Sequence, residues 1–171
     1  MTATPALRLR LAALAFLAEA VHLGWEALHG GIQTHHLLQR ADLPAVSNAW
    51  GLLVLPLLAA WAAGRWPADR AATWERGWVL LGLAVPWLVA LAMSWAMAQE
   101  LSGVTELLFM GLLAAAVVLP GYRPECLLGF VLGMSWTIGA VLPTVIGGLI
   151  AGVSWTLRHL AGWAWRRVGP A

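Results

Sequence analysis

The chain has 171 residues, of which 61% are hydrophobic and 11% are charged, and its mean hydropathy is +0.77. An ordinary soluble domain is about 45–50% apolar and about 25% charged, so this composition excludes a soluble globular fold of this size. The net charge is only +2 and all ten basic residues are arginines, whose scatter excludes a nucleic-acid partner. A single cysteine, Cys126, excludes an internal disulfide.

Apolar runs long enough to cross a bilayer recur along the chain, separated by short polar segments. We therefore predict an all-α, polytopic transmembrane helix bundle of about five spanning helices in a single domain, residues 1–171. The spans are predicted at about 7–28, 44–63, 78–98, 102–119 and 126–150, with a C-terminal interfacial helical tail at 151–171.

Two prolines influence these boundaries. Pro44 suits the first position of the second helix, because a proline there loses no helical hydrogen bond. The last apolar run exceeds the ~20 residues that one untilted span needs, and Pro143 and the pair Gly147–Gly148 interrupt it. Six spans are therefore the alternative to five.

The arginines lie mostly on one side of the predicted bundle. If four helices alternate in direction, one side carries arginines 8, 10, 65, 70, 76 and 123, and the opposite loops carry only Arg40. Because cytoplasmic loops are enriched in basic residues, the N-terminus is predicted to be cytoplasmic. The expected location is a bacterial-type inner (plasma) membrane, crossed several times.

Twelve tryptophans make the chain Trp-rich. Most are expected to form aromatic belts at the headgroup level, where tryptophan is enriched. Four lie nearer the helix interiors and are candidates for packing or for lining a cavity: Trp61, Trp87, Trp95 and Trp136. Membrane lipid is the expected partner, with a second copy of the chain or another membrane protein as further candidates.

Ionisable residues form a stripe along the first predicted helix. Glu19, His22, Glu26 and His29 follow one another at spacings of three, four and three residues. At ~100° per residue they share an arc of about 80°. Ionisable groups inside a span cost at least ~2.5 kcal/mol each and usually face a bundle interior or a watery cavity. The stripe therefore predicts a polar pocket.

The predicted topology collects further polar residues at the end of the bundle towards which this stripe runs. That end, the non-cytoplasmic one, gathers His35, His36, Asp42, Asn48, Glu100 and Glu106. The first use considered for such a pocket is to bind a small ligand or a transition metal (copper, zinc or iron), since imidazole and carboxylate groups ligate these ions. The predicted metal ligands are His22, Glu26, His29, His35 and His36.

Acid–base chemistry on a lipid-soluble substrate is the second hypothesis, in the manner of an isomerase or a cyclase. Glu19, His22 and Glu106 would be the catalytic groups, and Asp42, Asn48 and Glu100 would contact the ligand. The third hypothesis is a non-catalytic subunit, in which the same polar groups orient helix packing or dock a partner. No Walker loop, HExxH sequence or dinucleotide fingerprint is present to decide among them.

Overall fold

The protein is a bundle of α-helices with one short β-hairpin, within the residues that the computed structural model describes: 4–36, 40, 42, 44–66 and 73–168. In chain order the elements are α1 (Pro5–Leu28), β1 (Thr34–His36), β2 (Ala45–Ser47), α2 (Gly51–Ala63), α3 (Thr73–Ala98), α4 (Ser102–Val118), α5 (Pro124–Ile138) and α6 (Val141–Val168). A single turn of 3-10 helix, Asn48–Trp50, leads into α2. Apart from the hairpin, the predicted all-α class is confirmed.

Three of the helices are long and apolar enough to cross a membrane, namely α1, α3 and α6. The helices α2, α4 and α5 are apolar but shorter, at 13, 17 and 15 residues, where a straight span needs ~20. The membrane character predicted from composition is therefore supported, whereas the count of five spans is not confirmed.

The last apolar run differs from its prediction. It does not form one span at 126–150 followed by a separate tail, because α5 ends at Ile138 and α6 then continues without a break to Val168. The break falls at Gly139, whose φ of +69° favours glycine. Pro143 lies in the first turn of α6, where a proline is tolerated.

The segment between α1 and α2 also differs from the predicted polar loop. β1 and β2 pair antiparallel, with Thr34 opposite Ser47 and His36 opposite Ala45. Pro44 precedes β2 and does not begin a helix, and α2 starts seven residues later at Gly51. The hairpin holds the beginning of α2 beside the end of α1.

The central helix is α5, which packs most extensively against α3 and also contacts α2 and α6. Small residues on α5 allow this approach. A Cβ atom on Gly129 would overlap the carbonyl oxygen of Leu83, and one on Gly133 would lie 2.5 Å from the Cβ of Ala90. The packing of α5 on α3 thus depends on glycines, as is usual where membrane helices approach closely.

Three contacts define the directions of the helices. The Nε of Arg8, at the start of α1, donates to the carbonyl oxygen of Ala60, near the end of α2 (3.4 Å). Gly139, after α5, lies against Asn48, before α2. Arg158 of α6 donates to the carbonyl oxygen of Val118, at the end of α4. Hence α1 and α2 are antiparallel, α5 ends beside the hairpin, and α6 returns to the end of α4.

We expect Gly129→Ala to lower the free energy of unfolding by about 1–3 kcal/mol, because the new methyl group would push α5 away from the backbone of α3. Denaturant titration of the detergent-solubilised protein measures this change. Gly148→Ala is the matched control, since a Cβ atom there meets no atom within 4 Å. Equal stabilities of the two variants would contradict the packing described for α5.

Candidate functional site

The distribution of side chains around α1 is the reverse of that in a soluble protein. Glu19, His22 and Glu26 are only 2%, 4% and 7% exposed, whereas Val21 and Leu28 are 72% and 83% exposed. In water-soluble proteins, charged groups are almost never fully buried. In α1 they are buried, while large apolar side chains of the same helix are exposed. This arrangement fits a helix whose apolar side faces lipid and whose polar side faces the bundle.

The predicted stripe therefore exists for three of its four members, and His22 links the two carboxylates. Its Nδ1 lies 3.4 Å from Oε2 of Glu19, and its Nε2 lies 3.5 Å from Oε1 of Glu26. These contacts follow from the i,i+3 and i,i+4 spacings, which place side chains one above another on a helix. Glu19, His22 and Glu26 are called the α1 triad below.

Groups from the hairpin region hold the outer end of the triad. The Nδ2 of Asn48 donates to Oε1 of Glu26 (2.6 Å), and the backbone N–H of Gln33 donates to Oε2 (3.1 Å). The backbone N–H of Asn48 in turn donates to the carbonyl oxygen of Gln33 (3.0 Å). Both carboxylate oxygens of Glu26 thus accept a hydrogen bond. Asn48, predicted as a ligand-contacting residue, instead supports the triad.

The inner end of the triad has little room and few partners. A Cβ atom on Gly51, the first residue of α2, would lie 2.6 Å from the carboxyl carbon of Glu19. Oε1 of Glu19 is buried and accepts no hydrogen bond within the described residues. Because an unpaired buried polar atom costs about 1–3 kcal/mol, this oxygen is a place for a proton to bind.

An indole ring separates the triad from the outside of the bundle. The ring of Trp136, on α5, lies against that of His22, with centroids 4.6 Å apart and planes inclined at 36°. Trp136 itself is 61% exposed. One of the tryptophans predicted to pack or line a cavity therefore covers the central histidine.

The triad contains two carboxyl groups and one imidazole, and no guanidinium contacts it within the described residues. Those arginines whose contacts are defined interact elsewhere: Arg8 with Ala60, Arg40 with Asp42, Arg65 with Trp61, Arg123 with Glu125, Arg158 with Val118 and Arg167 with Trp163. Neutrality of the triad therefore requires protons or another bound cation.

The remaining histidines do not complete a metal centre. His29 is exposed, and its Nδ1 contacts the carbonyl oxygen of Trp25 (2.9 Å) while its ring stacks on that indole. His36 is exposed on β1, and the alternation of side chains along a strand turns it away from the half-buried His35. Among the described residues, no group of three or more His, Cys, Asp or Glu side chains is arranged to hold a metal ion. The predicted ligand set is therefore not brought together.

The environment of His35 favours its neutral form. Burial lowers the pKa of this imidazole below its usual value near 6.5, and the negative charge of Glu26 offsets part of that effect. Its Nε2 is buried without a hydrogen-bond partner among the described residues. Protonation of His35 is therefore expected to destabilise the hairpin.

Three predicted residues lie apart from the triad. Asp42 is exposed and pairs with Arg40 (2.8 Å), whose hydrogen bonds lower the pKa of that carboxyl group. Glu100 is exposed in the turn between α3 and α4, with a φ of +57°. Glu106 is exposed on α4, which packs mainly on α3 and α6, and it makes no hydrogen bond or ion pair with Glu19 or His22. The structure therefore brings Glu19 and His22 of the predicted catalytic set together and places Glu106 apart from them.

Comparison with known proteins gives no relative from which a role for these residues could be transferred. No protein-family model matches the sequence, and no curated protein and no solved structure is significantly similar to it.

Removing the amide that holds Glu26 should destabilise the protein. We expect Asn48→Ala to lower the free energy of unfolding by about 1–3 kcal/mol, because one oxygen of a buried carboxylate loses its donor. Denaturant titration in detergent measures the change. Gln33→Ala is the control, since Gln33 contacts Glu26 through its backbone. A loss no greater than that of the control would contradict the role assigned to Asn48.

A second expectation concerns pH. Because the pKa of His35 is lowered in the folded hairpin, the opened hairpin binds a proton more readily, so hairpin stability should fall as the pH decreases through about 6.5. Hydrogen exchange of the β1 and β2 amides, corrected for intrinsic rates, should show less protection at low pH. His35→Gln should remove this dependence and His29→Gln should retain it; a pH dependence that survives in His35→Gln would rule out this imidazole as its cause.

Proposed function

We propose that this chain is an integral membrane protein whose α1 triad is an acid–base centre, binding and exchanging protons inside the bundle. The observation that carries the proposal is the burial of two carboxyl groups on either side of one imidazole, on a helix whose apolar side chains face outwards.

The energies favour proton binding over a purely structural role. A charged side chain at the centre of a membrane costs ~2.5–3.5 kcal/mol on insertion scales, whereas hydrogen bonds between membrane helices average only ~0.6 kcal/mol. The bonds from Asn48 and Gln33 both reach Glu26, so they do not offset a negative charge on Glu19, which lies deeper in the span. Neutralisation by protons removes the cost directly.

The hydrogen bonds suggest where the protons reside. Both oxygens of Glu26 already accept a hydrogen bond, from the side chain of Asn48 and the backbone of Gln33. His22 lies between two carboxyl groups and, when protonated, can donate to both. Glu19 has the oxygen without a partner. We therefore place the exchangeable proton at Glu19, beside the imidazole of His22.

The position of the triad suggests the kind of substrate. Trp136 lies between His22 and the outer surface of the bundle, so a membrane-dissolved molecule would reach the imidazole by displacing this indole. Glu19 and His22 are then placed to act as general acid and general base. The proposed reaction class is proton transfer to or from a lipid-soluble substrate, as in a double-bond isomerisation or a cyclisation.

The orientation in the membrane is part of the proposal. The return of α6 to the end of α4 supports an arrangement in which all six helices cross the membrane, with short α5 enclosed by its neighbours. Arg8, Arg123 and Arg158 would then lie on one side. By the positive-inside rule that side is cytoplasmic, in a bacterial-type inner membrane, and the hairpin and Glu26 lie towards the opposite side.

Infrared spectroscopy of the protein in lipid nanodiscs tests the assignment. We expect a carboxylic-acid C=O band that titrates with pH in the wild-type protein and is lost in Glu19→Gln. Glu100→Gln, at an exposed carboxyl group, should leave that band unchanged, and His22→Gln should shift its titration because the coupled imidazole is gone.

Two outcomes would refute the acid–base proposal. One is a set of identical carboxyl spectra for wild-type protein and Glu19→Gln. The other is stoichiometric copper, zinc or iron in the purified protein that disappears in His22→Gln, because the triad would then be neutralised by a metal ion.

A further inference from the structure

A second feature of the bundle lies apart from the α1 triad. An apolar cavity of about 500 Å³, open on one side, is lined by parts of α3, α4, α5 and α6. Its walls include Val85 and Val89 of α3, Leu112 of α4, Phe130 of α5 and Ile150 of α6. Its volume falls in the ~300–1,000 Å³ range of ligand-binding sites. The lining is almost wholly apolar, so the cavity is suited to hydrocarbon.

The cavity is elongated along the helices. On α3 its lining extends from Trp78 to Val89, which at 1.5 Å per residue is about 16 Å. Half of the ~30 Å hydrocarbon core of a bilayer is about 15 Å. The length of the cavity thus matches the depth reached by one acyl chain of one leaflet.

Positive charge is concentrated at one end of the cavity. Arg123 belongs to its lining, and its side chain is 46% exposed. Its Nη1 lies 3.6 Å from Oε1 of Glu125, a long contact that leaves the other guanidinium donors available. Arg158 is held to the carbonyl oxygen of Val118, next to the lining residue Leu119. Arg123 and Arg158 against Glu125 leave one net positive charge at this end. Arg76 and Glu75 at the start of α3 balance each other.

From these observations we propose that the cavity binds an anionic phospholipid. One acyl chain fills the apolar space between α3 and α4, and the phosphate binds Arg123, since a guanidinium forms charge-assisted hydrogen bonds with phosphate oxygens. Arg158 adds to the electrostatic attraction. This site is independent of the proposed acid–base function, because none of its lining residues belongs to the α1 triad.

The chain offers a matched pair of variants for the acyl-chain part of the site. Gly111 lines the cavity, and a Cβ atom there meets no atom within 4 Å, so Gly111→Leu should fill the space without displacing the backbone. Gly148 is equally unobstructed but is not part of the lining, and Gly148→Leu is therefore the control.

The test is native mass spectrometry of the delipidated full chain, titrated with phosphatidylglycerol or with phosphatidylcholine of the same acyl chains. We expect one phosphatidylglycerol per chain, bound about tenfold more tightly than phosphatidylcholine. Arg123→Gln should weaken phosphatidylglycerol binding by about tenfold or more, and Arg40→Gln, at an exposed arginine of the hairpin end that pairs with Asp42, should not. Gly111→Leu should abolish binding while Gly148→Leu retains it.

The proposal is overturned if the two lipids bind equally, if Gly111→Leu retains full binding, or if a neutral lipid displaces phosphatidylglycerol from the site. Arg123→Gln also removes the ion pair with buried Glu125, so this variant could fail to fold. In that case the wild-type preference for phosphatidylglycerol over phosphatidylcholine, together with the comparison of Gly111→Leu with Gly148→Leu, decides the outcome.

Discussion

A bilayer cannot solvate ionisable groups, and the arrangement of α1 and everything packed on it depends on that constraint. Glu19, His22 and Glu26 occupy the middle and outer part of a helix whose other face is Leu, Val and Trp. The polar stripe of α1 therefore faces the interior of the bundle, and the helices packed against it need small residues where its side chains lie. Gly51 has no side chain where the carboxyl group of Glu19 lies. The first turn of α2 could not approach α1 so closely with any other residue there.

At the other end of the triad, the hairpin supplies the hydrogen-bond donors that a bilayer cannot provide. Pairing of β1 with β2 brings the backbone N–H of Gln33 and the amide of Asn48 to the same carboxylate. Gly139 then allows Asn48 to pack beneath the turn between α5 and α6. The α1 triad, the hairpin and that turn are thus coupled, because each is held by contacts with Glu26 or with Asn48.

The two ends of the bundle have different chemistry. The hairpin end contains the buried carboxyl groups and His22, which can hold and move protons. The other end contains the guanidinium groups of Arg123 and Arg158 at the mouth of an apolar cavity. Helix α5 contributes to both, with Trp136 against the triad and Phe130 in the cavity wall. The proposed acid–base centre and the proposed lipid site therefore lie at separate places in the bundle.

The burial of Glu19, His22 and Glu26 was predictable from the sequence, because helical periodicity and the cost of exposing ionisable groups to lipid are both local properties. The membrane class followed from composition for a similar reason. The side-chain orientations of four other predicted residues were not predictable: His29, His35, His36 and Glu106. Topology places residues at one end of a bundle but does not specify which way each side chain points. Strand alternation, stacking on Trp25 and the packing of α4 on α3 and α6 decided those orientations.

Sequence alone thus determined that α1 carries an inward-facing acidic and histidine stripe in a membrane protein. Only the tertiary structure decided which groups contact that stripe: the donors Asn48 and the backbone of Gln33, and the ring of Trp136, from segments seven to more than a hundred residues away. The physical reason is that the stripe depends on the 3.6-residue repeat of one helix. The partners depend on the register of a hairpin and on a glycine turn, which are set by packing between distant parts of the chain.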